Sequence, residues 1–327
     1  MPREVVLIKK DVYREHCLKT ESIPIFSQDW WLDAVCGSTD NWDVALVKKG
    51  ESIVATMPYY LKRKFGFTVI TQPPLTPTLG PWLRPSTAKY SKALSEQKEL
   101  MELLIGQLPL YDRFTQHWNS NLTNWLPFYW KGFKQSTRYS YLLADLSNED
   151  NLWNGLQENI RREIRKAENR FKLTVREDCH LDEFLELNKL TFERQKKIFP
   201  YPDQFIRKLD LTCSERSCRK TFIATDQNGR NHAGVYIIWD QSTAYYLMGG
   251  GDPALRNSGA TSLCMWRAIQ HSANVTKSFD FEGSMIRPIE RFFRGFGAQQ
   301  TQYFSITKTP SLILRAKEAL TLLFSKS

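Results

Sequence analysis

Several common catalytic signatures are missing from this chain. There is no Gly-Lys-Ser/Thr phosphate loop, no His-Glu-x-x-His zinc helix and no Gly-x-Ser-x-Gly elbow. Nucleotide hydrolysis of the P-loop kind, zincin chemistry and the α/β-hydrolase triad are therefore set aside. Cysteine is sparse: Cys17, Cys36, Cys179, Cys213, Cys218 and Cys264 follow no framework spacing, which fits reduced thiols better than disulfides. Cys213 and Cys218 have no second pair near them, and the five histidines sit in unrelated contexts, so no metal is expected. No apolar run approaches membrane-spanning length, and the first ten residues are too short and too soon charged for a signal peptide. The expectation is a cytoplasmic protein.

What is present is an ordinary globular composition, 42% hydrophobic and 24% charged over 327 residues, long enough for two domains. The net charge of +10 points to an anionic partner such as nucleic acid, a nucleotide, an anionic membrane face or a sugar phosphate. A solvated basic surface accounts for it equally well.

Hydrophobic periodicity and turn residues give the order of elements. A strand is expected at Val5 to Ile8, then a short helix from Ser27-Gln-Asp-Trp30 to Ala34 stopped by Gly37. Trp42 to Val47 and Ser52 to Met57 form a hairpin across Lys49-Gly50, followed by a strand from Phe67 to Thr71 and a proline-stiffened loop to Pro81. Leu94 to Leu108 is helical, Arg113 to Trp118 a strand, Leu122 to Trp130 a helix and Thr137 to Leu146 a strand. Ser147 with Asp150 caps a new helix. After helices at 158–171, 181–197 and 202–212, the pattern of the first half returns. Thr221 to Thr225 and Ala233 to Trp239 pair across Asn228-Gly229, and Thr243 to Met248 is a third strand ending at Gly249-Gly250-Gly251. A helix from Ala260 to Ala273, a strand Ser278-Phe-Asp-Phe-Glu-Gly283, a helix after Pro288, a strand at Gln302 to Ile306 and a closing amphipathic helix at Leu312 to Phe324 complete the chain. The parallel between halves implies a duplicated unit. The expected domains are 1–146 and 147–327, with the closing helix docked on the second rather than lying on a membrane.

Two stretches carry the chemistry. In Ser278 to Gly283 the alternation puts Phe279 and Phe281 on one side and Asp280 with Glu282 on the other, so two carboxylates share a face at a strand end. They could serve as acid and base, or as ion-pair partners of Arg287 and Arg291. Arg256-Asn-Ser-Gly259-Ala-Thr261 lies between a strand and a helix, where a helix N-terminus and a glycine let backbone approach a phosphate. On the helix at 158–171, Arg161 with Arg165 and Arg162 with Lys166 form two basic rows, either a contact for phosphate or acidic substrate or a solvated face.

This order resembles the GNAT acyltransferase fold, whose pyrophosphate loop is matched by Arg256 and Gly259, with Thr261 at its last small position. The stretches Asn159-Ile-Arg-Arg-Glu-Ile-Arg-Lys-Ala167, Tyr246-Leu-Met-Gly-Gly250, Gly259-Ala-Thr-Ser-Leu263, Phe279-Asp-Phe-Glu-Gly283 and Phe292-Phe-Arg-Gly-Phe-Gly297 resemble the FemAB-like branch, in which two GNAT-like units sit in tandem. Phe26-Ser-Gln-Asp-Trp-Trp31 and Thr78-Leu-Gly-Pro81 are similar to its BioF2-like acetyltransferase members. The chain lacks the long helical arm of Fem ligases, and Phe293 stands where the family has a lysine, with Arg294 one place on.

The resemblance implies an α+β fold of two tandem GNAT-like units, each a mixed sheet flanked by helices. It implies an acyltransferase that takes its group from acyl-CoA or aminoacyl-tRNA, with no tightly bound cofactor, and gives it to an amine or hydroxyl of a glycolipid, peptidoglycan or polysaccharide precursor. Peripheral membrane association and tRNA as a partner are compatible with it; DNA is not expected. The expected catalytic residues are Glu282, Asp280 and Arg294. Met248, Gly249, Arg256, Gly259 and Ala260 are expected to hold the donor, and Tyr246, Arg161, Arg165 and Tyr303 the substrate. The alternative is a non-catalytic basic RNA-binding or scaffold protein of the same fold.

Overall fold

The computed structural model describes residues 9–283 and 285–324; the strand expected at Val5 to Ile8 lies outside them. In chain order the elements are α1 (Lys9–Lys19), α2 (Asp29–Val35), β1 (Trp42–Lys49), β2 (Ser52–Lys64), β3 (Phe67–Thr71), β4 (Trp82–Leu83), α3 (Tyr90–Gly106), β5 (Arg113–His117), α4 (Leu126–Trp130) and β6 (Lys134–Leu143). They continue with α5 (Glu149–Gly155), α6 (Glu158–Asn169), β7 (Thr174–Glu177), α7 (Leu181–Arg194), α8 (Asp203–Glu215), β8 (Arg219–Thr225), β9 (Asn231–Trp239) and β10 (Thr243–Gly251). The chain closes with α9 (Ala260–Ser272), β11 (Ser278–Asp280), α10 (Arg287–Arg294), β12 (Gln299–Lys308) and α11 (Leu312–Phe324).

Contacts divide the chain into two compact units, residues up to Arg138 together with those from Gln302 onward, and Tyr139–Thr301. Both boundaries fall inside strands, β6 and β12, rather than at 146/147. The first unit holds the strand order β1-β2-β3-β5-β12, with β4 on β2. The second holds β6-β11-β10-β9-β8-β7. In each, an antiparallel hairpin is followed by a third strand, a helix and a strand parallel to the third, β3 with β5 and β10 with β11. The repeat legible in the sequence is thus a repeat of topology, and the fold is α+β, mixed sheet with flanking helices.

The closing helix α11 packs with the first unit, not the second as expected. Residues Ser305 to Lys308 of β12 pair with β5, which returns the chain there. The N–H of Ser311 then donates to Asp112 O at 3.3 Å, and Arg113 pairs with Glu318 at 3.4 Å.

In the second unit the core gathers under α6 and α9, with Ile160, Ile164, Leu263, Ile269, Phe279 and Phe281 all buried. Each such burial stabilises by about 1.5–3 kcal/mol, against about 0–1 kcal/mol for the exposed ion pairs along α6. The apolar stripe therefore decides where α6 lies. The cap of α5 is Asn148, whose side chain accepts from Asn151 N–H, one residue after the expected Ser147. The first unit builds its own core on Ile70, Leu104, Phe114, Trp118, Phe128 and Ile306.

The expected break at Gly249-Gly250-Gly251 is instead the end of β10, paired through Gly249↔Val235, Gly250↔Gly234 and Gly251↔Ala233. The glycines serve close approach: a Cβ on Gly250 would lie 2.4 Å from Asn188 Cα and one on Gly249 1.9 Å from the Tyr246 hydroxyl.

Candidate active site

The parallel pairing of β10 with β11 is short. It covers Thr243↔Ser278, Ala244↔Phe279 and Tyr245↔Asp280, after which β10 runs on to Gly251 beside β9 while β11 ends. The strands part next to Asp280. At the same level β10 has an irregular register with β9, skipping Leu247 between Tyr246↔Ile237 and Met248↔Tyr236. Such a bulge re-aims side chains and is common beside active sites.

Below the parting point, rings fill the core face. Phe281 lies 4.9 Å from Phe279 and 5.3 Å from Phe293, and Phe293 is 5.8 Å from Tyr246. Phe293, at the position of the family lysine, is 4% exposed and occupied in this packing.

Strand β11 ends at Asp280, so the period-two alternation does not extend to Glu282. Asp280 Oδ1 accepts from the Ser140 hydroxyl and, at 2.8 Å, from the Glu282 N–H. Burial pushes its pKa up to about 6, while these two donors pull the other way. Glu282 is half-buried and lies just beyond the strand, with φ +59°, a conformation costly for a side-chain-bearing residue. Its carboxylate has no hydrogen-bond or ion-pair partner among the described residues. Burial first, and the neighbouring Asp280 charge second, hold its pKa well above the ordinary glutamate value. No ion pair to Arg287 or Arg291 forms among the described residues. Tyr245, at the register position of Asp280, is buried, and its hydroxyl stays protonated through burial and the charges of Asp240, Glu282 and Asp280. Two close carboxylates without a cation resist holding two charges, so the pair retains a proton well above the usual carboxylate range.

The other expected residues are more dispersed. Arg294 turns to Glu290 at 2.8 Å; Glu290 in turn accepts from the Tyr141 hydroxyl at 2.8 Å, which accepts from Gln300 at 2.9 Å. Arg256 is exposed on the turn before α9. Gly259 has φ +81°, and a Cβ there would come within 2.2 Å of Glu163 O. Both the backbone turn and the contact with α6 therefore demand glycine, whatever binds at the loop. Gly259 and Ala260 are buried, which leaves Arg256 and Asn257 as the accessible side chains of the turn. Met248 is 7% exposed, and Tyr246 is occupied beneath the sheet against Phe293.

Arg161 bonds Glu158 at 2.9 Å and the Asn154 carbonyl at 3.1 Å. Arg165 stacks 5.7 Å over Trp153, and Lys166 pairs with Glu163. The basic rows are largely neutralised within their own surroundings. Tyr303 belongs to the first unit, edge-on to His117 at 6.0 Å.

Four contributors carry no local sequence signal. Ser140 and Tyr141 lie on β6, far from Asp280 and Glu290 in sequence. Asn188 donates to Gly249 O at 2.6 Å, and Thr191 accepts from Gly251 N–H at 3.1 Å, so α7 satisfies the glycine end of β10. The first unit has a cavity of about 360 Å³ lined by Trp82, Gln97, Asn119, Asn121 and Asn124 among others, with no ionisable side chain in its wall. It offers no acid–base chemistry. No cluster of metal-ligating side chains occurs among the described residues.

Residues 155–293 match the family model described as an acetyltransferase (GNAT) domain. That span runs from the end of α5 through both carboxylates to Phe293. No curated protein matches the chain. Among solved structures, FemX superposes with a TM-score of 0.65 at 13% identity, over 91% of this chain and 96% of that one. The C-terminal domain of a candidate lysylphosphatidylglycerol synthetase from Agrobacterium fabrum gives 0.57 at 12%, over 97% and 96%. L-PGS from Bacillus licheniformis gives 0.54 at 10%, over 96% and 96%. At such identities the likeness is one of fold. Residues 155–293 thus match a GNAT acetyltransferase domain, within a chain whose fold is FemX-like.

Proposed function

We propose that the second unit moves an acyl or aminoacyl group from acyl-CoA or aminoacyl-tRNA to an amine or hydroxyl of a cell-envelope or polysaccharide precursor. The observation that carries this reading is the half-buried Glu282 carboxylate, without a partner among the described residues, beside Asp280 where β10 and β11 part. A carboxylate with a raised pKa is a better base once ionised, and its tuning towards neutral pH is what general base catalysis needs.

Ionised Glu282 takes the proton from the attacking amine or hydroxyl as it bonds to the donor carbonyl. The same proton is then available to the leaving thiolate or alkoxide. Asp280, fixed by Ser140 and by the Glu282 N–H, supplies the charge that raises Glu282's basicity. Arg256, exposed before α9, is placed to meet phosphate groups of either donor, since a guanidinium and a helix N-terminus both favour anions. Arg294 is engaged by Glu290 and would act at the site only after leaving it. The cell-envelope acceptor draws on the FemAB-like resemblance and on the synthetase name of a fold neighbour, which speaks of a lysyl group and a lipid headgroup.

Thermal-shift measurements with acetyl-CoA, longer acyl-CoAs and charged tRNA separate the donors. The expected result is stabilisation by one class; indifference to all three removes the proposal.

A further inference from the structure

The first unit turns apolar side chains outward in a way that folding alone does not explain. Helix α4 reads Leu-Pro-Phe-Tyr-Trp, without a polar residue. Pro127 and Phe128 are buried, while Leu126, Tyr129 and Trp130 are 42%, 59% and 53% exposed. A surface helix normally shows water a polar face.

Helix α11 also shows apolar side chains to solvent. Its partly exposed Glu318 pairs with Arg113 and accepts from the Thr309 hydroxyl, and Leu312, Ile313 and Leu320 are 72%, 69% and 55% exposed. One bond links the end of α4 to the strand that leads into α11: Lys308, the last residue of β12, donates to the carbonyl of Lys131 at 2.7 Å. Ser311 ties the start of α11 to Asp112, two residues after Leu110, which is 95% exposed.

Cations surround these residues. Lys98 sits 5.6 Å over Trp130, Lys131, Arg315 and Lys317 are exposed, and Lys308 lies 5.0 Å over Phe133.

We infer that this face docks on an anionic lipid bilayer, with Leu126, Tyr129, Trp130 and the outer side of α11 entering the headgroup region. Contiguous exposed apolar surface marks an interaction site. Trp and Tyr, each with an apolar ring and a polar edge, favour the boundary between hydrocarbon and water. Lysine and arginine can lay their stems on the apolar surface while their charges meet lipid phosphates. A second protein would be a poorer occupant, because lysine is depleted at protein interfaces. The chain's net charge of +10 acts in the same direction. This inference rests on the first unit alone and does not depend on the acyl-transfer reading.

Co-sedimentation of the full chain with vesicles tests it, comparing pure phosphatidylcholine with equal parts phosphatidylcholine and phosphatidylglycerol. Binding is expected to the phosphatidylglycerol vesicles and to weaken as salt rises. Combined Leu126→Ser, Tyr129→Ser and Trp130→Ser should lower it roughly tenfold or more. Lys131→Glu with Lys317→Glu should do likewise, each lost cation being worth roughly a factor of five. All five positions are exposed, so circular-dichroism melting should show both variants folded.

Equal binding to the two vesicle types, no binding at low salt, or binding untouched by the serine variant would each overturn the inference. A dimer seen by light scattering that the serine variant dissociates, without vesicle binding, would assign the face to self-association instead.

Discussion

At the scale of single residues, the site is defined by an imbalance around Glu282. Asp280 accepts from two donors, whereas the Glu282 carboxylate has no partner among the described residues and sits in a left-handed backbone conformation. If it is the base, Glu282→Gln should lower turnover by about 100-fold or more with donor affinity little changed, measured by steady-state kinetics alongside direct donor titration. The same variant should be more stable than the native protein near neutral pH. Because the folded pKa is raised, the stability linked to this group is fully present below the ordinary glutamate pKa and is lost as pH rises towards the folded value. A glutamine avoids that loss, so the melting temperatures should converge near about pH 4 and separate above it. An equal or lower melting temperature for the variant at pH 7 would mean that Glu282 is held by a partner. Asp280→Asn removes the neighbouring charge that, after burial, raises the Glu282 pKa. It should move the rising limb of the pH–rate profile to lower pH; an unmoved limb would show that Asp280 does not tune Glu282.

At the scale of elements, glycines record where helices meet strands or one another. Gly259 looks from the sequence like a phosphate-loop glycine, but its φ of +81° and the 2.2 Å approach of a Cβ to Glu163 O show that the α6–α9 packing needs it. Gly259→Ala should therefore cost about 2–4 kcal/mol of stability in chemical denaturation even without a donor. A stable variant that fails only in donor binding would show the opposite. The basic rows of α6 behave differently. Arg165, half-exposed, pairs with Glu158 at 3.7 Å and stacks on Trp153, so Arg165→Ala should change stability by less than about 1 kcal/mol.

At the scale of the whole molecule, the chain does not divide where its sequence turns from strand to helix capping. Strand β6 supplies Leu142 and Leu143 to β11, Ser140 to Asp280 and the Tyr141 carbonyl to Phe281 N–H at 3.0 Å. A fragment starting at residue 147 loses all of these. Residues 139–301 should give a cooperative unfolding transition, whereas residues 147–327 should melt without one; the reverse would mean that the compact unit is not the folding unit. The sequence by itself determined the repeat, the strand at Phe67 to Thr71 and the helix starting at Ala260. All of these follow from period-two or helical alternation and turn residues, which act over a few positions. It could not show that β10 continues through its three glycines, because strand pairing with β9 and contact with Asn188 decide that. Nor could it show that α11 returns to the first unit, that Ser140 holds Asp280, or that Glu282 is left without a partner among the described residues. Those depend on residues more than a hundred positions apart meeting across a sheet, and no local pattern encodes which strands pair.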